Sequence, residues 1–177
     1  YWYEAGGHLY DVIDGPEGDD ASLRPNQIFA VSLPFAAVYG PRAKAVVEAV
    51  ERALLTPVGL RSLAPDDPKY TGTHTGDRWQ RDGSYHQGTV WSWLIGPFID
   101  AHLRVFQDKS RAEELLRGLL RHVEREAGIG TISEVFDGDE PHTPRGCIAQ
   151  AWSVAEVLRI TLSLKTRGLE RGNNGGH

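Results

Sequence analysis

The stretch TISEVFDGDEPHTPRG, Thr131 to Gly146, brings four carboxylates, two prolines and two glycines into sixteen residues. Carboxylates so placed can serve as a general acid or base, accept hydrogen bonds from a ligand, or simply cap and solvate a turn. Glu134 stands apart because Ile132, Val135 and Phe136 flank it, an apolar setting expected to raise its pKa toward general-base values. Asp139 and Glu140 read as solvated turn residues, and Asp137 as a turn or pocket residue. Two further segments share the inventory of acids, amides and aromatics: RPNQ from Arg24 and RDGSYHQGTVWSW from Arg81. Sugar hydroxyls need such paired donors and acceptors, and the apolar faces of sugars stack on aromatic rings. Tryptophans on helices more often fill cores than hold ligands, so Trp91, Trp93 and Trp152 weigh less here than the polar pattern.

Other chemistries find little support. There is no Gly-x-x-x-x-Gly-Lys phosphate loop, no His-Glu-x-x-His and no Gly-x-Ser-x-Gly elbow. GIGTIS at Gly128 ends on Ser133 where a dinucleotide fingerprint needs glycine, and no strand precedes it. Seven histidines lack the short spacings of paired ligands, so no metal and no cofactor are expected. The single cysteine, Cys147, reads as a small buried residue; with no partner for a disulfide it fits a reducing compartment, and the cytoplasm is the expected location. A net charge of −5 with scattered Lys and Arg argues against nucleic acid as a partner. No apolar run approaches the ~20 residues of a membrane span.

Helices must position these segments. Residues 1–25 read as a loop-rich opening with a weak hairpin at Leu9–Ile13. Asn26 is placed to cap a helix through Tyr39 that buries Ile28, Val31 and Phe35 and is kinked or shortened by Pro34. Pro41 starts an amphipathic helix whose Ala43, Val46, Val47, Val50, Ala53 and Leu54 share a face. A 28-residue loop, Thr56 to Gly83, follows. GTVWSWLIGPFIDAHLRVF reads as a buried helix broken near Gly96-Pro97, and SRAEELLRGLLRHVEREA as a helix with a Ser110–Glu113 capping box that stops at Gly128. Cys147 opens the last helix, and residues 168–177 form a polar tail. The fold class expected is all-α.

The motifs LYDVIDG, RPNQIFAVSLP, LLTPVGLRSLAP, RDGSYHQGTVWSWLIGPF and GTISEVFDGDEPHTPRGCIAQAWSVAEVLR, in that order, resemble the C-terminal part of the glycogen-debranching-type amylo-α-1,6-glucosidases. The resemblance runs from about Leu9 to Leu164. It implies an (α/α)6 toroid of twelve helices, of which residues 1–177 are about the C-terminal half, and inverting hydrolysis of α-1,6-linked glucose from glycogen or limit dextrin. It makes Glu134 the general base and places Arg24, Asn26, Gln27, Tyr85, His86, Gln87, Trp91 and Asp137 at the substrate. Its general acid, an aspartate, lies upstream of Tyr1, so the upstream half of the same domain is an implied partner. A chain that begins on Tyr1 and has no methionine fits a piece of a longer protein. One departure is Trp91-Ser92-Trp93, where the family has Trp-Pro-Trp. The alternatives are a non-catalytic α-glucan-binding or assembly module, and another (α/α)6 glucosidase of trehalase or glucoamylase type.

Overall fold

The computed structural model describes residues 1–173, with side chains through residue 166. The chain opens with two antiparallel hairpins, β1 (Trp2–Tyr3) with β2 (His8–Leu9) and β3 (Val12–Gly15) with β4 (Gly18–Asp20). A 3-10 turn, Pro25–Ile28, runs into the one-turn helix α1, Phe29–Ser32. The long helix expected here is not formed. Pro34 drives Leu33 to an extended conformation, which ends α1, and Phe35 is left 95% exposed. Arg24, not Asn26, is the N-cap residue, and no side chain caps the turn. Helix α2 (Gly40–Leu54) follows, with a proline in its first turn and its expected apolar face buried.

The 28-residue loop resolves into β5 (Leu55–Thr56), β6 (Gly59–Arg61) and the short helix α3 (Arg78–Ser84). Asp77 and Gln80 form a reciprocal capping box on α3. Next come β7 (Val90–Trp91), a 3-10 turn at Ser92–Leu94 and α4 (Ile95–Phe106). Pro97 therefore falls in the first turn of α4, where no backbone N–H is needed, and it starts the helix instead of breaking it. Helices α5 (Lys109–Leu115) and α6 (Arg117–Arg125) succeed it. Asp108 caps α5 by accepting from Arg111 N–H, so the Ser110–Glu113 box is not used, and α6 ends before Gly128. Strands β8 (Val135–Phe136) and β9 (Pro144–Arg145) precede α7 (Ala151–Asn173). The last helix begins four residues after Cys147 and extends through part of the expected tail; residues 174–177 lie outside those described.

The fold is largely helical, around α4. This helix is apolar on nearly every side, buries Ile95, Phe98, Ile99, Ala101 and Leu103, and packs against α1, α2, α5 and α7. Gly96 lets α7 close on it, since a Cβ there would lie 2.0 Å from Glu156 Oε2. Arg159 then clamps the pair through Glu156 and Asp100. Arg104 Nη1 reaches back to the Val31 and Leu33 carbonyls and holds the end of α1.

An all-α fold did not include the five-stranded antiparallel sheet, ordered β5-β6-β7-β8-β9. Its register sets Leu60 opposite Trp91, Trp91 opposite Val135 and Val135 opposite Arg145. Segments far apart in the chain thereby meet on one small platform.

Candidate active site

Glu134 enters β8 one residue before Val135, and its own N–H donates to Cys147 O at 2.9 Å, continuing the β8–β9 ladder. Cys147 N–H returns a bond to Glu134 Oε2 at 2.7 Å, and the Tyr85 hydroxyl donates to Oε1. Gly146 makes this possible. Its φ of +66° suits glycine, and a Cβ there would sit 2.5 Å from Glu134 Oε2. Burial pushes the Glu134 pKa up, as its apolar neighbours led one to expect. The Cys147 N–H, the Tyr85 hydroxyl, the Cys147 thiol and nearby His74 outweigh it, and the net shift is downward. The expected rise is corrected: donors to the ionised form win over desolvation.

Asp137 is 5% exposed and is committed to protein partners. It takes a bidentate grip from Arg145 at 2.9–3.2 Å and the His74 N–H at 2.7 Å. His74 Nδ1 in turn meets Ser84 Oγ at 2.9 Å, and burial, helped by Arg81, lowers its pKa. Asp139 is exposed but not merely solvated, since it accepts from the Tyr70 hydroxyl at 2.9 Å, and burial together with Asp139 pushes the Tyr70 pKa up to about 12. Cys147 is exposed, against expectation, because the chain at that point is an edge that serves Glu134 instead of a helix turn facing the core.

Beside this carboxylate a cleft of about 600 Å³ is lined by Arg24, Asn26, Tyr85, His86, Gln87 and Trp91, together with Asp11, Asp20, Ser62, Trp93 and Trp152. Arg24 ties its floor together by donating to Ser62 O (3.1 Å), His86 O (2.7 Å) and Gln87 Oε1 (2.9 Å) and pairing with Asp11 at 3.3 Å. The aromatic wall is continuous. His86 stacks on Trp91 (5.1 Å, 5° between planes), Tyr85 meets Trp91 edge-on at 4.9 Å, and Trp152 touches both Trp91 and Trp93. Burial raises the Asp11 pKa despite Arg24, whereas bonds from Ser22 lower that of Asp20.

Six expected residues thus face one cleft. Gln27 does not: its side chain is spent on Leu9 N–H (3.2 Å) and Arg24 O (3.0 Å), so it supports the cleft from behind. Asp137 likewise lies off the cleft, in the support beneath Glu134. Asp11, Asp20 and His74 were missed. Asp11 stood in the quoted LYDVIDG motif, but His74 sits in a stretch with no periodic or motif signal. Among the described residues no three His, Cys, Asp or Glu side chains gather as a metal site, and no helix is long and apolar enough to cross a membrane.

An ionised carboxylate fixed by donors, next to a cleft with aromatic faces and polar forks, can take a proton from water that attacks a bound sugar. Comparison with known proteins places the chain in a family. The chain is 31% identical over 93 residues to the glycogen debranching enzyme of Saccharomyces cerevisiae, a match that covers 49% of this chain and 6% of the yeast protein. A family model described as amylo-alpha-1,6-glucosidase matches residues 1–159. The chain belongs to the amylo-alpha-1,6-glucosidase family.

Proposed function

We propose that this chain is the base-bearing part of a glycoside hydrolase domain that removes α-1,6-linked glucose from glycogen or limit dextrin with inversion. The observation that carries the reading is Glu134, kept ionised by Cys147 and Tyr85 beside the cleft of Arg24, Asn26, His86, Gln87 and Trp91. Glu134 takes the proton of a water that attacks the anomeric carbon. A second carboxyl group protonates the leaving oxygen from the opposite side, roughly 6.5–9.5 Å away. In this reading it comes from an upstream half of the domain, which also completes an (α/α)6 toroid over the uncovered face of α7. Trp152 offers a ring face to the glucose and Trp91 backs the wall beneath His86, while Arg24, Asn26 and Gln87 hold its hydroxyls. Asp137 acts through Arg145 and His74. The lone Cys147 is in keeping with a reducing, cytoplasmic setting.

The test is Glu134→Gln in the intact parent protein. Glucose release from limit dextrin should fall by about 10³-fold or more with dextrin binding retained, since the amide keeps the shape but cannot accept a proton. Release at the parent rate would sink the assignment.

A further inference from the structure

The reading above, on which this inference rests, leaves open what holds the base in one orientation. A glutamate has three side-chain torsions, and a base must point one lone pair at one water. Glu134 is gripped at both oxygens, and the grips come from different elements: Tyr85 at the end of α3 on Oε1, and the backbone beyond β9 on Oε2. Tyr85 is itself well anchored. Its carbonyl accepts from Thr89 Oγ1 at 2.5 Å and Trp91 Nε1 at 3.3 Å, and its ring lies edge-on to Trp91 and tilted on His74. The ring contributes to the cleft wall while the hydroxyl is committed to Glu134.

We propose that Tyr85 is a positioning residue for Glu134, whose hydroxyl locks the carboxylate toward the reacting water instead of binding a sugar hydroxyl. The chemistry of its neighbours keeps it in that state. Burial and the Glu134 charge push the Tyr85 phenol well above its usual pKa, so it remains a donor across the neutral range. The other titratable groups facing Glu134 carry little charge there. Burial and Arg81 favour neutral His74, and the hydrogen bond to Glu134, with that group's charge, favours the neutral thiol of Cys147. Tyr85 is thus a side-chain donor to Glu134 that is anchored at the end of α3 and fixed in its protonated form.

The experiment is Tyr85→Phe in the intact parent protein, with kcat and KM on limit dextrin measured across pH. Loss of one bond to a charged group should lower kcat about 10-fold to 100-fold with KM within about 3-fold, and move the acidic limb of kcat up by about one pH unit. Replacing Tyr85 by 3-fluorotyrosine keeps the hydroxyl, makes it a stronger donor, and should move the limb down; this second variant serves if the first does not fold. A raised KM with an unmoved limb in either variant would make Tyr85 a sugar contact and overturn the proposal. Glu134→Gln separates the two levels. If it abolishes glucose release while Tyr85→Phe leaves kcat and the limb unchanged, only the positioning role falls; if it releases glucose normally, the base assignment falls with it.

Discussion

At the residue scale, Glu134 is governed by a competition between desolvation and hydrogen bonding, and Gly146 decides it. Only a residue without Cβ lets the β9 strand turn at φ +66° and pass within reach of Oε2. Gly146→Ala should cost about 1–2 kcal/mol from the left-handed backbone alone, and it should also expel the carboxylate from its grip. Glucose release by that variant should drop far more than its unfolding midpoint in urea. The buried imidazoles supply a second prediction. Burial lowers the pKa of His74 and His102, so below 6.5 the unfolded chain binds protons that the folded one refuses. Their contribution to stability is present above pH 6.5 and is lost as pH falls through the lowered folded values. The urea midpoint, followed by tryptophan fluorescence, should decline between about pH 7 and pH 5, and a flat profile would contradict the burial of these rings.

At the element scale, the β8–β9 hairpin carries the base, and Asp137 holds the hairpin. Asp137→Ala leaves the part-exposed Arg145 unpaired and the His74 N–H without its acceptor, a loss of about 1–3 kcal/mol. The variant should bind dextrin normally once folded, with a lowered unfolding midpoint; weakened binding at full stability would return Asp137 to the cleft. These elements also show what was legible in the residues. Helix α2 forms where the helical period places it, and of the stripe Leu115, Leu116, Leu119, Leu120 and Val123 all but Leu120, 40% exposed, pack inward, although the single helix expected there is divided into α5 and α6. The sheet leaves no such trace, because strands of two or three residues are too short to alternate. It is built by register between distant segments, which is why the exposure of Cys147 was misjudged and His74 was passed over, while Arg24 and Trp91, named from their motifs, line the cleft. Similarly, Pro34 was expected to kink or shorten its helix and Pro97 to interrupt one. What each does depends on position: one terminates a helix and the other begins one.

At the scale of the whole molecule, α7 carries two apolar faces. Ser153, Val157, Ile160 and Leu164 are buried toward α4. On the other side Ala151, Ala155, Leu158 and Leu162 follow i, i+4, i+7, i+11, and Leu158 and Leu162 remain 58% and 54% exposed, with Trp152 at 48%. A helix with one such face solvated is stable enough, but a continuous apolar stripe in water promotes association. If further helices of the parent domain cover it, Leu158→Glu with Leu162→Glu should act with opposite signs in two settings. In the parent, two carboxylates forced against an apolar partner should cost at least about 2 kcal/mol each and lower the thermal midpoint. In the chain Tyr1–His177 alone the same pair meets water, should change stability by about 0.5 kcal/mol or less per site, and should reduce self-association in sedimentation velocity. Equal, small effects in both settings would mean that the face stays open in the parent, and the toroid would then have to close elsewhere.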